Sequence, residues 1–502
     1  MTEMPYSAAS PGSPRRTVAN THLLLVLLCA VQFIDSFDIA SMAPALPKIQ
    51  HDLGMTPNTL QWVVTAYVLG YGGLLLLGGR LADLFNRKRL LIIALVIFTI
   101  ASVVGGVATT GDMLIGARLA KGITAAFTAP ASLAVLLHTY DDEDERNKAL
   151  GTYGSIAAIG FVFGLVLGGL LSSVTWRLVL FVPAALALLV SIMGAYVIPG
   201  ADHRTGAGRQ PVDVVGAVTV TVALLALVFG VSRASTSGWG DGLVVASLVV
   251  AFVLTIVFLL VERLVKSPLV PLGIFARPGL APANSVAFLF QGSYVAWQFL
   301  ATLYLQNLQH WAPVYVGLVM SPGGIIMMFT ARRWAGYVGK VGAWRLNSVG
   351  ILLIGLGYLW TLLAFGHVSA ALLFVLAQVI LGTGYSISYP ASNITAVSGA
   401  RMNEQGLASG LFFAAFQVGS GVILGIVASV YTAHTNAHYS LAGFRPAFTA
   451  VVAVGALALL ICLVQAARAP RTGIAQPVQP EAVPPGGEEA QAEWERAGRR
   501  SG

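Results

Sequence analysis

The stretch GGRLADLFNRKRL, residues 78–90, sets four cations and one acid between two long apolar runs. The flanking runs, near 58–79 and 89–109, are each roughly 20 residues long, the length that crosses a bilayer core as a helix. Outside the edge residue Arg89 they carry no charge. A short charged segment between two such runs reads as a connector between membrane spans. The rest of the chain repeats the pattern. It has 502 residues, of which 56% are hydrophobic and only 10% charged, and its mean hydropathy is +0.79. A soluble chain of this length needs far more charge on its surface. The reading is an all-α polytopic membrane protein.

Spans are expected near 22–46, 58–79, 89–109, 113–137, 149–172, 177–198, 212–232, 242–264, 281–308, 314–334, 343–366, 369–397, 406–431 and 444–467. That makes about fourteen, with both termini on one side. Of the 29 Lys and Arg residues, only Lys48, Arg177, Arg233 and Arg445 fall on the opposite side, and Arg118 and Lys121 fall inside a span. The other 23 lie on the side of the termini. The positive-inside rule makes that side the cytoplasm. The net charge of +8 therefore reflects basic loops, and no nucleic-acid partner is implied. Cys29 and Cys462 both sit in apolar runs, which argues against a disulfide framework and against a metal site.

Residues 1–20 read as a cytoplasmic tail, and 469–502, rich in Pro, Gly, Ala and Glu, as a disordered cytoplasmic tail. Between them the expected units are a six-helix bundle over 21–200, two inserted helices over 201–270 and a second six-helix bundle over 271–468. RWAGYVGKVGAWRL (333–346) follows the tenth span as GGRLADLFNRKRL follows the second. Aligning Asn86 with Gly342 pairs Arg89 with Arg345 and Leu90 with Leu346, and puts Gly339 opposite Asp83. Repeated halves suggest a transporter with its site between them near the bilayer midplane.

Several motifs resemble the major facilitator superfamily, in particular its fourteen-span drug:proton antiporter branch. Gly79, Asp83 and Arg87-Lys88-Arg89 are similar to the superfamily's signature loop, with Asn86 where Gly is usual. DIASMAPALP (38–47) resembles the first-span motif of that branch. RLAKGITAA (118–126) resembles its fourth-span Arg motif, with Lys121 for Gln and Thr124 for Gly. GFVFGLVLGG (160–169) resembles the fifth-span antiporter motif, with Leu165 for its proline. TLYLQ (302–306) and FQVGSG (416–421) are further similar segments, and the likeness covers about 20 to 468. It implies the major facilitator fold and a proton-driven exporter in the cell (inner or plasma) membrane.

All 21 acids except Asp35 and Asp38 sit at span ends, in loops or in tails, and an ionisable group within a span is a functional hypothesis by default. The first and fourth spans are antiparallel, and residues three apart share a helix face. A ladder follows, with Asp38 beside Arg118 and Asp35 beside Lys121. Two roles fit it: a proton-coupling site, or a static ion-pair clamp. For the 79–89 loop the resemblance implies a cytoplasmic latch that docks Asp83 at the helix start near Gly406, and the plain alternative is a positive-inside anchor. Gly160, Gly164, Gly168 and Gly169 are expected to form a tight seam, which the resemblance places between the two halves. The acidic run DDEDERNK (141–148) reads as a solvated loop, with Arg146 as its partner. Gln32, Tyr67, Gln291, Tyr294, Trp297, Tyr385 and Tyr389 are expected to line the substrate cavity.

Two acids against two bases leave the interior near neutral, which favours neutral, zwitterionic or weakly charged substrates. The function expected is export of lipophilic or amphipathic small molecules by alternating access, driven by a proton gradient without any cofactor. A dedicated exporter of an endogenous metabolite or lipid is the near alternative. A membrane prenyltransferase is a remote one, since DSFD has the D-x-x-D spacing but no second acidic cluster. No enzyme activity is expected. The expected partners are the substrate, protons and membrane lipids, and the expected state is a monomer.

Overall fold

A computed structural model of the chain describes residues 18–84, 86–140, 142–198, 213–265, 268–400, 404–435 and 441–468. Most of both expected tails lies outside these residues. The described chain is helical and contains no strand. Six helices come first: α1 (Val18–Leu53), α2 (Pro57–Leu84), α3 (Arg87–Gly106), α4 (Gly111–Thr139), α5 (Glu143–Val174) and α6 (Leu178–Val197). The inserted pair is α7 (Val214–Ser237) and α8 (Gly242–Leu264). Six more follow: α9 (Leu280–Leu303), α10 (Pro313–Val341), α11 (Ala343–Ala364), α12 (Ala370–Ser398), α13 (Gln405–Ala433) and α14 (Leu441–Arg468). A π-helical turn, Tyr304–Leu308, prolongs α9. Among the described residues, twelve helices are long and apolar enough by themselves to cross a membrane. The face where α1 begins is called the N-terminal face below, and the other the far face.

Polar side chains mark where many of these helices start. Asn86, Thr110, Asp142, Asp213, Asp241 and Ser369 each accept a hydrogen bond from a backbone N–H in the first turn of α3, α4, α5, α7, α8 and α12, satisfying donors that the helix cannot. This explains Asn86 in place of the usual glycine: it accepts from the Arg89 N–H at 3.2 Å. It also corrects the reading of the acidic run. The run opens α5 instead of forming a loop, with Asp142 accepting from Glu145 N at 2.9 Å, where negative charge is favoured by the helix dipole. The Arg146 side chain lies outside the described residues. On the far face Arg233 donates to Asp241 at 3.0 Å, and that hydrogen bond holds the Asp241 carboxyl below the usual carboxylate range.

The two six-helix sets repeat one packing plan. In the first, α1 lies on α5, α2 on α4, and α3 on α4 and α6; in the second, α9 lies on α13, α10 on α12, and α11 on α12 and α14. Leu28, Phe98 and Leu136 belong to the core of the first set; Phe290, Trp297, Phe374 and Phe444 belong to that of the second. The outer faces of α3, α6, α8, α11 and α14 expose Ile97, Ile192, Phe252, Leu363 and Leu460, as lipid contact requires. The sets meet along two main seams, α2 against α13 and α5 against α10, and α7 lies in contact with both α2 and α13. Gln61 of α2 donates to Ser232 O at 3.1 Å and to the Ser235 hydroxyl, and Thr432 of α13 donates to Ser235 O at 3.0 Å. The last turns of α7 thus hold both bundles on the far side.

Candidate functional site

The charged centre is built where α1 crosses α4. Asp38, wholly buried, accepts from Arg118 Nη1 at 2.6 Å and also from Lys121 Nζ. Arg118 is fixed twice more, by its Nε–H donating to Val63 O at 3.0 Å and by the Tyr67 ring 4.5 Å from its guanidinium carbon. Lys121 lies 4.6 Å from the centre of the Phe98 ring. Four helices therefore converge on one carboxylate and two cations, all shielded from water.

The expected second rung does not form. Asp35 is buried but makes no ion pair with Lys121. Instead it accepts a hydrogen bond from Thr128 Oγ1 at 3.1 Å. The reason is geometric. Side chains lean toward the N-terminus of their own helix, and α1 and α4 are antiparallel. Asp35 therefore leans toward the N-terminal face while Lys121 leans toward the far face, so the two diverge. The same tilts bring Asp38 and Lys121 together, and the four-carbon stem of lysine covers the remaining distance. Asp38 consequently takes both cations, and Asp35 is faced by hydroxyl groups.

Two of these hydroxyls are not legible in the sequence as site residues. Tyr71 of α2 and Tyr153 of α5 both lie within electrostatic reach of Asp35, and Tyr389 of α12 lies within reach of both tyrosines. Tyr153 shares a 2.8 Å hydrogen bond with Ser132 of α4. Gln32 is half-buried on α1 and donates to Ser36 at 3.3 Å. Thr128 could have been found from spacing. It lies seven residues after Lys121, on the same face of α4.

The facing wall comes from α9, α12 and α13 and is aromatic. Tyr385 donates to Gln291 Oε1 at 3.1 Å. Its ring centre lies 4.8 Å from Phe290, 5.0 Å from Tyr294 and 5.9 Å from Tyr389, and Phe416 of α13 meets Tyr389 at 5.8 Å. Two of the expected lining residues belong elsewhere. Trp297 is wholly buried, donates to Thr361 of α11 at 3.0 Å and packs on Phe374, so it is core of the second bundle. Tyr67 is spent beneath Arg118, because α2 and α4 approach so closely there that a Cβ on Gly122 would overlap the Tyr67 carbonyl.

The glycine seam also differs from its expected place. A Cβ on Gly160 or Gly164 would lie 2.8 or 2.7 Å from the carbonyl oxygens of Phe33 or Phe37, and one on Gly168 would lie 2.6 Å from Ser41 Cα. These three glycines press α5 onto α1 within one bundle. Only Gly169 faces the other bundle, with its Cβ position 2.7 Å from Pro313 O of α10. Leu165, where the motif has proline, presents its carbonyl to Gly317 of α10.

On the far side Gln306 of the π-turn donates to Pro44 O at 2.9 Å, and Asn307 to Gln50 Oε1 at 3.4 Å, tying α9 to α1. Above this closure lies a far-face cavity of about 470 Å³ lined by Lys48, His51, Asp52, Trp176, His310 and Trp311. At the N-terminal face Gly79 has open space around it and no neighbour that demands glycine. Arg87 and Lys88 are half-buried and Arg89 is exposed. The Asp83 side chain lies outside the described residues, as does Gly339.

A paired-bundle architecture with a buried ionic centre in one half invites comparison with known transporters. The family model described as Major Facilitator Superfamily matches residues 28–424. The chain belongs to the Major Facilitator Superfamily. Among similar members, puromycin resistance protein pur8 of Streptomyces alboniger is 36% identical over 430 residues, covering 85% of this chain and 84% of that one. Cephamycin export protein CmcT of Amycolatopsis lactamdurans is 33% identical over 434 residues, covering 86% and 88%. Of solved structures, a peptide transporter POT in complex with sulfate aligns with a TM-score of 0.65 over 90% of this chain and 96% of its own, at 16% identity. The nucleoside transporter NupG gives 0.59 over 89% and 98%, at 13% identity. These two likenesses establish the fold. The chain is thus a multi-pass membrane transporter of the major facilitator type, and its substrates are small molecules.

Proposed function

We propose that this transporter exports lipophilic or amphipathic small molecules across the plasma membrane in exchange for protons, with both termini in the cytoplasm. It needs no cofactor beyond the proton gradient and works as a monomer. The observation that carries the coupling is the unequal treatment of the two acids. Asp38 is held by two cations, so its charge is balanced in place. Asp35 is equally removed from water, but hydroxyl groups face it. Its ionised form stands unpaired in a low-dielectric interior, a cost that a proton removes. Alternating exposure of Asp35 to the two sides then moves a proton each cycle, and the membrane potential adds about 2.3 kcal/mol per charge per 100 mV.

The names of the relatives support the substrate class. They include puromycin resistance, cephamycin export and lincomycin resistance, and an aromatic wall opposite a polar one suits amphipathic ligands. A dedicated exporter of one cell product is the second reading, favoured by the relative named for cephamycin export. Proteoliposomes with an imposed pH gradient and a chemically broad substrate panel separate the two. Several transported classes support the first reading, one class the second, and gradient-independent transport sinks both. We expect Asp35→Asn to lower gradient-driven transport at least about ten-fold; undiminished gradient-driven transport by that variant overturns the coupling role of Asp35.

A further inference from the structure

We infer that Thr128, Ser132 and Tyr153 form a hydroxyl relay through which Asp35 exchanges its proton with the N-terminal face. The inference rests on the coupling role proposed for Asp35 and adds the route. Three observations lead to it. Thr128, wholly buried, aims its hydroxyl at Asp35 Oδ2 at 3.1 Å. Ser132 and Tyr153 share a 2.8 Å hydrogen bond that joins α4 to α5. Tyr153 and Tyr71, both within electrostatic reach of Asp35, are part-buried, whereas Tyr67 on the far side of the acid is wholly buried.

Direction follows from the helices. α4 runs toward the N-terminal face, so Ser132 stands one turn nearer that face than Thr128, on the same side of the helix. α5 starts at that face, and Tyr153 is in its third turn. Toward the far face the neighbours of Asp35 are of another kind. On α1 stands Asp38 and on α4 Lys121, locked together, and on α2 Tyr67 lies under Arg118. Tyr71 on α2 completes the surroundings. A proton cannot cross the Asp38 centre without disrupting two ion pairs, whereas a hydroxyl can accept and donate at once.

The step balances simply. The Asp35 carboxyl O–H breaks as a new O–H forms on Thr128. The original Thr128 proton passes to a water taken up in the one-turn gap between Thr128 and Ser132, and that water gives a proton to the Ser132–Tyr153 pair. That pair releases one to water at the N-terminal face. Each hydroxyl ends with the single proton it began with, and the reverse sequence loads Asp35.

The test compares Thr128→Val, which keeps shape but removes the hydroxyl, with Thr128→Ser, which keeps the hydroxyl, and with Tyr153→Phe. Two assays in proteoliposomes separate route from structure: transport driven by a pH gradient, read across pH, and substrate exchange at equal pH, which moves no net proton. We expect Thr128→Val and Tyr153→Phe each to slow gradient-driven transport about ten-fold with a displaced pH profile, while exchange stays within about two-fold. Thr128→Ser should restore both, and the double variant should be no worse than the slower single one. Equal losses in both assays, or an unchanged pH profile, overturn the relay. If Asp35→Asn abolishes coupling while Thr128→Val leaves it intact, the coupling reading stands and the relay alone falls.

Discussion

The crossings of α1 with α4 and of α9 with α12 occupy equivalent places in the two bundles, yet they are made of different chemistry. The first is ionic, with Asp38 between Arg118 and Lys121 and Asp35 capped by Thr128. The second holds no ion pair among the described residues and is a stack of tyrosines pinned by the Gln291–Tyr385 hydrogen bond. What the halves share is backbone approach. Gly164 and Gly168 press α5 on α1, and Gly292 and Gly419 press α13 on α9 in the matching pair. The repeat therefore dictates how closely helices meet and leaves the contents of each crossing free to specialise, one for charge and the other for surface.

The strongest way to break this comparison is to unbalance the ionic crossing. Asp38→Asn removes the single anion and leaves two buried cations facing each other. Breaking a buried ion pair by removing one partner costs about 3–5 kcal/mol, so the variant should show a large fall in thermal stability in detergent. Asp35→Asn strands no cation, and asparagine can still accept from Thr128, so its stability should stay within about 1 kcal/mol of the parent. Equal losses from the two substitutions refute the division between a structural acid and an exchanging one. A conserved fold with Asp38→Asn at parental stability refutes the ion-pair account of α1 and α4.

The shared feature gives an intermediate effect. Gly164→Ala meets the Phe37 carbonyl, and Gly419→Ala meets the Phe288 backbone. Overpacking of this kind costs about 1–3 kcal/mol. The two variants should lose folded yield and thermal stability to a similar degree, since each attacks the same helix approach in its own half. Loss in one half only shows that the seams are not equivalent.

Much of this arrangement is legible in the sequence because it follows from periodicity and length. Apolar runs of bilayer length count the helices, and the antiparallel order of spans one and four brings Asp38 to Arg118. The partner of Lys121 is not legible in the same way, because residue order fixes only the depth of each Cα along the helix axis. Side-chain tilt and the reach of a lysine shift the ammonium by about a turn. The glycine seam is recognisable as a seam, but spacing alone cannot say which neighbouring helix it meets; α5 has two crowded faces, one on α1 and one on α10. Thr128 is marked only by its spacing from Lys121, and Ser132, Tyr71 and Tyr153 stay hidden for a simpler reason. A hydroxyl in a membrane helix is as often bonded to its own backbone as to a site, and Ser132 and Thr128 do both.

The smallest expected effect is the one that sharpens the comparison most. Tyr385→Phe keeps the ring stack against Phe290, Tyr294 and Tyr389 and removes only the hydrogen bond to Gln291. A neutral hydrogen bond contributes about 1 kcal/mol, so the half-saturating substrate concentration should change by no more than about five-fold. The pH profile of transport should not move, because no ionised group lies in the hydrogen-bond pair that is lost. Proton handling would then belong to the crossing of α1 with α4, and ligand contact to that of α9 with α12. A displaced pH profile in Tyr385→Phe would instead mean that the aromatic crossing takes part in proton transfer, with Tyr389, the residue of that stack within reach of Tyr71 and Tyr153, as the link between the two halves.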